Sequence, residues 1–216
     1  MLRYERTMTG GINVIFAYNK ENVGDTLMVI VKNDENKENI AERKENVARI
    51  QTKEGTTVAW NFFNVSDYLT IHGNGQVALT EKDIDVLNEQ LKHAGFEERL
   101  AADLSPKFVV GYVKTCVDHP DSDHLHITET EVDGGETLQI VCGASNIEAG
   151  QKVVVAKPGA MMPDGQMIWP GNLRGVDSFG MICSAKELHL PNAPEKKGIL
   201  VLDDDAKTGE LFEIGK

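Results

Sequence analysis

Residues 173–188 read LRGVDSFGMICSAKEL and combine glycines, a cation and hydroxyl groups in one short stretch. Glycine reaches backbone conformations that other residues avoid, so Gly175 and Gly180 favour a tight loop. Ser184, followed three residues later by Glu187, is typical of a capping box at the start of a helix. Hydroxyl groups and the free N–H groups of a helix start both bind phosphate. The stretch therefore predicts a loop that leads into a short helix and could hold a phosphate group.

The same stretch also has a purely structural interpretation. Ser184 would then only cap its helix, while Met181, Ile182 and Cys183 would fill the hydrophobic core. The two interpretations are compatible with each other. The residues alone therefore leave the role of the polar side chains open.

Three further segments accompany this stretch in the C-terminal half. They read HPDSDHL at 119–125, VCGASNI at 141–147 and VAKPGA at 155–160. Together with residues 173–188, and in this order, they resemble the tRNA-binding domain family, whose members occur attached to phenylalanyl-, methionyl- and tyrosyl-tRNA synthetases and as free proteins. The resemblance covers residues 107–216 and implies an OB-fold barrel that binds tRNA by shape. With its N-terminal half included, the chain is similar to the YtpR family, which pairs a poorly characterised α/β module with this barrel.

The resemblance implies that loops of the barrel contact RNA through cations, hydroxyls and amides. It favours RNA contact for polar residues of 173–188 and for residues 119–126, which lie where OB-folds place their first ligand-facing loop. Many family members carry lysine in the region of His124, so a permanent cation is lost there. Trp169 is the aromatic residue best suited to stack on a base, and Lys157 precedes a Pro-Gly pair that fixes its loop. The complete predicted RNA-binding set is Lys114, His124, Asn146, Lys157, Trp169, Arg174, Ser178, Ser184 and Lys186.

The overall charge opposes unselective binding to nucleic acid. The 216 residues contain 22 Lys and Arg against 34 Asp and Glu, a net charge of -12, and residues 107–216 contain 10 basic and 17 acidic residues. An acidic surface repels phosphate at long range, but screening over about 8 Å at physiological salt lets a local cationic patch act. The composition therefore predicts modest, selective and salt-sensitive binding.

The sequence favours a reduced, cytoplasmic setting. The N-terminus, MLRYER, lacks an apolar secretory core, and the longest apolar run, residues 27–31, is far too short to span a bilayer. Three cysteines, Cys116, Cys142 and Cys183, cannot complete a disulfide framework, so we expect reduced, buried structural thiols. We expect a cytoplasmic protein that has no membrane partner.

No pattern in the sequence predicts a catalytic centre, a metal site or a cofactor. Cys-x-x-Cys pairs are missing, and His124 with His126 offers a zinc ion only two ligands on one face of a strand. Walker, Rossmann, metalloprotease and nucleophile-elbow motifs are also missing. We therefore expect a protein that is not an enzyme and that holds no metal or cofactor.

The N-terminal half predicts an α+β domain over residues 1–103. Thr80, followed by acidic residues, marks a helix start, and apolar residues at helical spacing continue to a stop at Gly95. The charged run at residues 33–46 is expected to form a solvated loop or an exposed helical face. The boundary with the second domain is expected near residues 100–107. Strands are predicted at residues 12–18, 26–32, 47–51 and 57–60.

Residues 107–216 predict an all-β domain of short strands separated by turn signals. Five such strands suit an OB-fold barrel, and residues 198–202 are expected to add a closing strand. The Asp-Gly-Gly sequence at 133–135 is a hairpin signal because glycine adopts positive φ easily. The five predicted strands cover residues 108–117, 124–131, 137–142, 152–156 and 166–169.

The favoured function is non-catalytic tRNA binding by shape and by contacts to the phosphate backbone. Sequence-specific binding would favour stacked aromatic residues, of which residues 107–216 hold few. The leading alternative is a protein-interaction module that dimerises or docks on an aminoacyl-tRNA synthetase, which suits the acidity of the chain. Family relatives often associate in pairs, so the resemblance also admits a homodimer. A third interpretation, an enzyme of RNA or nucleotide metabolism, lacks a catalytic set of residues.

Overall fold

The computed structural model describes residues 13–35, 37–195 and 197–214. The chain divides by its internal contacts into two compact units, Met1–Ser105 and Pro106–Lys216. Each unit buries apolar side chains in hydrophobic clusters of its own. The N-terminal residues 1–6, which were expected to lack a secretory signal, and the first residue of the strand predicted at 12–18 lie outside the described residues.

The N-terminal unit is built on an antiparallel sheet of six strands. Its elements are β1 (Ile15–Tyr18), α1 (Lys20–Val23), β2 (Thr26–Ile30), β3 (Asn39–Lys44), β4 (Val47–Thr52), β5 (Thr57–Phe63), a 3-10 turn (Val65–Asp67), β6 (Gly75–Gln76) and α2 (Glu81–His93). The strands lie in the order β3-β4-β5-β2-β1-β6. Predicted strands at 12–18, 26–32, 47–51 and 57–60 are observed as β1, β2, β4 and β5.

Helix α2 forms as its sequence predicts. The Thr80 hydroxyl accepts from the Asp83 N–H at 3.3 Å, and the Asp83 carboxylate accepts from the Thr80 N–H at 2.7 Å, which completes a capping box. Leu87 and Leu91 are fully buried in one cluster with sheet residues such as Phe62. No helix in the described part of the chain is long and apolar enough to cross a membrane.

The expectation of a loop or helical face at residues 33–46 is wrong for its second half. Strand β3 (Asn39–Lys44) pairs antiparallel with β4 and forms an edge of the sheet. Edge strands commonly carry charged residues, which discourage pairing with other chains, so their apolar alternation is weak. The charged residues therefore gave no sign of strand β3, whose position depends on hydrogen bonds to β4.

The elements of the C-terminal unit are β7 (Phe108–Asp118), β8 (His126–Glu131), β9 (Thr137–Cys142), β10 (Lys152–Ala156), β11 (Gly171–Leu173), β12 (Val176–Ser178), β13 (Met181–Ile182) and β14 (Val201–Leu202). They form a sheet in the order β13-β10-β7-β8-β9, in which β14 also pairs with β10, and a separate two-stranded ribbon, β11-β12. The strands predicted at 108–117, 124–131, 137–142 and 152–156 are observed as β7 to β10.

By strand pairing this sheet is open, although its two ends lie near each other. The Phe179 N–H, just before β13, donates to the Gln139 carbonyl of β9 at 2.8 Å. Gly180 permits the chain to pass close to β10, because a Cβ there would lie 2.8 Å from the Ala156 carbonyl oxygen. Val109 of β7 and Ile140 of β9 are fully buried in one hydrophobic cluster. Taken over both units, the described residues are mostly β with few helices.

Two expectations for the C-terminal unit are corrected. Residues 166–169 do not form a ladder strand and contribute only an isolated bridge between Met161 and Met167. The ribbon β11-β12 was not expected, because Arg174 is not a residue that hairpin turns favour and Gly175 alone indicated only a tight loop. This ribbon occupies part of the stretch that was predicted to be a loop before a helix.

Candidate nucleic-acid interface

The β11-β12 ribbon, residues 171–178, presents a cation at its tip, and we call it the arginine hairpin. Leu173 pairs with Val176, so Arg174 and Gly175 form the two-residue turn. Their φ values are +47° and +88°, and positive φ at both positions is the mark of a type I′ turn. The Gly175 N–H donates to the Asn172 side-chain oxygen at 2.8 Å, which further fixes the tip.

The second segment of the candidate interface is the histidine loop, residues 119–125, which joins β7 to β8. The His119 N–H donates to the Leu125 carbonyl at 2.9 Å and closes the base of the loop. Arg174 Nη1 donates to the Asp121 carbonyl at 2.9 Å, so the tip of the arginine hairpin contacts the loop. The structure therefore brings two of the predicted segments together at one edge of the unit.

Charges of both signs meet where the arginine hairpin contacts the histidine loop. His124 Nδ1 lies 2.8 Å from the Asp123 carboxylate. The pKa of Asp123 is lowered, and the hydrogen bond from His124 is the largest cause. The nearby charge of Arg174 is a smaller cause. Arg174 is exposed and forms no ion pair with any described residue. Arg174 thus contacts the loop that carries His124.

Residues 184–189 form a turn and not the expected helix. The Ser184 N–H and hydroxyl both donate to the Glu187 carboxylate, at 2.8 and 2.7 Å, and the Glu187 N–H donates back to the hydroxyl at 3.2 Å. The capping pattern is therefore present, but the chain leaves the helical path at His189, whose φ is +51°. Lys186 is exposed on this turn, and no described carboxylate pairs with it. Ile182 and Cys183 are buried, as their structural interpretation expected.

Lys157 and Ser178, two of the predicted RNA-binding residues, are buried with their polar groups engaged inside the unit. Lys157 is only 8% exposed, and its ammonium group lies 2.9 Å from the Asp133 carboxylate. The buried Ser178 hydroxyl accepts from the Val141 N–H at 3.1 Å. A binding role was expected from their polarity, but folding partners distant in sequence use that polarity instead.

Asn146 also holds the fold together. Its side-chain amide donates to the Ile199 carbonyl at 3.1 Å, and its oxygen accepts from the Ile199 N–H at 2.9 Å. Because both ends of the amide are engaged, Asn146 offers little to a ligand. It instead fixes the segment that follows the exposed Lys197.

Lys114 and Trp169 do not join the contact between the two segments. Lys114 lies four residues before the end of β7 and pairs with Glu131 at 3.0 Å. Trp169 is half-buried, and its indole nitrogen is buried with no hydrogen-bond partner among the described residues, so it is not an exposed stacking platform. Phe179, next to the arginine hairpin, is 39% exposed and is an aromatic residue that a ligand can reach.

Two residues outside the predicted RNA-binding set bear on the candidate interface. Lys197 is exposed beside the segment fixed by Asn146, and its only sequence signal was a basic residue directly before a glycine. His119 is 3% exposed, and its ring lies between the histidine loop and the arginine hairpin. Its Nε2 is 3.2 Å from the Leu173 carbonyl, and the Asp121 N–H donates to its Nδ1 at 3.0 Å. No sequence pattern pointed to that contact, because the partners are far apart in the chain.

The thiols of the C-terminal unit lie in unreactive surroundings. Burial raises the pKa of Cys183 to about 12 and also raises the pKa of Cys142. All three cysteines are free. Thiolates are the nucleophilic form of cysteine, so these side chains are structural. Over residues 13–35, 37–195 and 197–214, no three metal-ligating side chains come together.

Comparison with known families agrees with the division into two units. Residues 108–211 match the family described as "Putative tRNA binding domain". Residues 34–103 match a family described as "Domain of unknown function (DUF4479)". The candidate interface lies entirely within the first of these matches.

Known relatives match the chain to very different extents. The "Putative tRNA-binding protein YtpR" of Bacillus subtilis (strain 168) is 53% identical over 200 residues, which cover 91% of this chain and 98% of that protein. The phenylalanine–tRNA ligase beta subunit of Oceanobacillus iheyensis is 52% identical over 118 residues, 53% of this chain and 14% of the subunit. The corresponding subunit of Campylobacter jejuni (strain RM1221) is 46% identical over 140 residues, 64% of this chain and 18% of the subunit. The chain therefore spans less than a fifth of these ligase subunits.

Proposed function

The chain belongs to the YtpR family, and from this premise we propose that its C-terminal unit binds tRNA without catalysing a reaction. The observation that carries the proposal is Arg174, an exposed cation on a fixed hairpin tip within the segment that matches the tRNA-binding family. Because tRNA functions in the cytoplasm, we place the protein there. The proposal requires no cofactor or metal.

We propose that this unit, residues 107–216, is an OB-fold domain preceded by an α+β domain over residues 1–103. The strand order β13-β10-β7-β8-β9 supports an OB-type arrangement, because β7 has β8 on one side and β10 on the other. The hydrogen bond from Phe179 to Gln139 supports closure between the two ends of the sheet. In OB-folds, the loop between the first two strands faces the ligand, and here that is the histidine loop.

Binding is expected to depend on phosphate contacts rather than on reading of bases. Arg174, Lys186 and Lys197 are exposed, and none has an ion-pair partner in the described part of the unit. Guanidinium and ammonium groups in this state can each neutralise a phosphate, and such contacts give affinity that falls as salt rises. His124 and Ser184 contribute surface to this interface, whereas Lys157, Ser178 and Asn146 maintain its shape.

The test is a tRNA titration of the full chain by filter binding over a range of salt concentrations. We expect Arg174→Ala with Lys186→Ala to weaken binding at least tenfold and to reduce the slope of log affinity against log salt by about 2, one for each lost phosphate contact. Lys82→Ala with Lys92→Ala is the matched control, because both lysines are exposed in the N-terminal unit and the double change removes the same amount of charge. Unchanged affinity and slope in the double variant would remove Arg174 and Lys186 from the site.

A second candidate function is docking on a protein partner. The acidity of residues 107–216 and the similarity to ligase beta subunits favour a role beside an aminoacyl-tRNA synthetase or as a homodimer. Exposed Val117 and Leu211 add apolar surface that a partner would cover. Size-exclusion chromatography with and without tRNA separates the two functions. A protein complex or dimer without any tRNA-dependent shift would favour docking.

A further inference from the structure

We propose that His119 is a positioning residue for tRNA binding, because its ring joins the histidine loop to the backbone that carries Arg174. The inference rests on the proposed function, since it concerns how the site presents its cation. His119 itself is 3% exposed and does not meet RNA. It acts through the arginine hairpin.

His119 is fixed in place by both its backbone and its ring. The backbone N–H donates to the Leu125 carbonyl at 2.9 Å, and the His119 carbonyl accepts from the Ser122 N–H at 3.3 Å. The neighbouring residues Pro120 and Asp121 are exposed, so the buried ring is an exception within its loop. Because both its backbone and its ring are hydrogen-bonded, His119 can fix the position of the Leu173 backbone that its ring contacts.

The hydrogen bonds of the ring define its tautomer. The Asp121 N–H donates to Nδ1 at 3.0 Å, so Nδ1 must carry a free lone pair. In the neutral imidazole the hydrogen then lies on Nε2, which donates to the Leu173 carbonyl at 3.2 Å. One neutral ring therefore links two segments that are 54 residues apart.

The carbonyl that His119 contacts belongs to the peptide group directly before Arg174. That arginine has a φ of +47°, a conformation that is unfavourable for a residue with a side chain. Its guanidinium donates to the Asp121 carbonyl at 2.9 Å, and Asp121 is the residue whose N–H binds the His119 ring. Leu173, Arg174, Asp121 and His119 thus form a closed circuit of contacts.

This circuit of contacts explains how Arg174, despite its unfavourable backbone conformation, can bind phosphate well. Arginine loses much side-chain freedom when it binds phosphate, and a residue held in its binding orientation loses less. Only one of the five guanidinium N–H groups is needed for the Asp121 carbonyl. The remaining donors stay available on a side chain that the circuit has already oriented.

Two substitutions separate the two bonds of the ring. His119→Asn keeps a short side-chain acceptor near the Asp121 N–H but cannot reach the Leu173 carbonyl. His119→Gln places an amide donor near the position of Nε2 and restores that reach. We expect His119→Asn to weaken tRNA binding about fivefold and His119→Gln to recover most of the affinity. His72→Asn, an exposed histidine in the other unit, is the matched control.

The deciding measurement is a double-mutant cycle between His119→Asn and Arg174→Ala, made with full-length protein and tRNA in a filter assay. If His119 acts through Arg174, His119→Asn has little further effect once Arg174 is alanine. Additive effects of the two substitutions would overturn the positioning role. If Arg174→Ala alone leaves affinity unchanged, the proposed function fails at this site, which is a different outcome from failure of the inference.

A measurement on the unsubstituted protein covers the case in which the His119 variants do not fold. Long-range proton–nitrogen NMR correlations report which ring nitrogen of His119 carries hydrogen. We expect the Nε2–H tautomer at neutral pH. The Nδ1–H tautomer or a rapidly exchanging ring would contradict the circuit.

Discussion

The β3-β4 hairpin and the arginine hairpin both turn through two residues but use their cations differently. Each turns through two residues, and the first has positive φ, +50° at Glu45 and +47° at Arg174. In β3-β4, the Arg43 guanidinium lies 4.1 Å from the centre of the Phe63 ring and donates to the Glu45 carbonyl. These contacts occupy the cation within its own unit.

The neighbouring lysine of the β3-β4 hairpin is also occupied. Lys44 pairs with Glu42 at 3.1 Å and lies 4.3 Å from the centre of the Phe96 ring. Arg174 also makes one hydrogen bond to a carbonyl, but no aromatic ring of the described residues covers its guanidinium. Exposed positive charge is therefore a weak indicator of function, whereas an exposed cation that neither a ring nor a carboxylate engages is a stronger one.

The sharpest test of this contrast is charge reversal at the two arginines. We expect Arg174→Glu to lower tRNA affinity more than thirtyfold, because it removes a phosphate contact and places a third carboxylate beside Asp121 and Asp123. Arg43→Glu should change tRNA affinity less than twofold while it reduces the free energy of unfolding by about 1 kcal/mol through loss of the contact with Phe63. Filter binding and urea denaturation measure the two effects. Similar losses of tRNA affinity in both variants would show that Arg174 contributes no more to binding than Arg43 does.

A smaller effect on tRNA affinity is expected when a substitution strains the backbone at the tip of the arginine hairpin. Gly175 has a φ of +88° and open space around its Cα, so Gly175→Ala introduces backbone strain without a steric clash. We expect a loss of about 1–2 kcal/mol in the free energy of unfolding and a loss of about threefold in tRNA affinity, since the tip shifts to relieve the strain.

Gly55 provides the matched control for that substitution. It lies in a turn of the N-terminal unit with a φ of +86° and equally open surroundings. Gly55→Ala should cost about the same in stability but leave tRNA affinity unchanged. If both variants lose affinity equally, the effect arises from global stability and not from the hairpin.

Sequence reasoning succeeded where local pattern determines structure. Helix α2 begins at Thr80 and buries Leu87 and Leu91 because capping and helical spacing act within a few residues. Strands β7 to β10 follow for the same reason, since β-forming residues are bounded by turn residues. These features could be predicted without knowledge of the neighbours.

The same reasoning failed where distant partners decide the outcome. Lys157 looked like a ligand residue, but Asp133, 24 residues away, engages its charge. The Ser178 hydroxyl binds the Val141 backbone across 37 residues. Arg174 in a type I′ turn gives no turn signal, because the contacts that hold it come from the histidine loop. Only the fold shows which polar groups remain free for a ligand.

The smallest predicted effect has the opposite sign, because one carboxylate weakens the site. Asp123 is 96% exposed at its side chain, binds His124 and lies close enough to Arg174 for that charge to lower its pKa. It is therefore ionised at neutral pH and repels an approaching phosphate. We expect Asp123→Asn to raise tRNA affinity about twofold at low salt, with the gain fading as salt screens the charge.

The control for Asp123→Asn is an equal change in net charge elsewhere in the unit. Asp164 is exposed, and its side chain accepts from the Gln166 N–H at 2.9 Å, a bond that asparagine can keep. Asp164→Asn should raise affinity less than Asp123→Asn, because its charge is not part of the histidine loop. Equal gains would mean that tRNA senses only the total charge of the unit, and a loss at Asp123 would mean that its bond to His124 shapes the loop more than its charge repels phosphate.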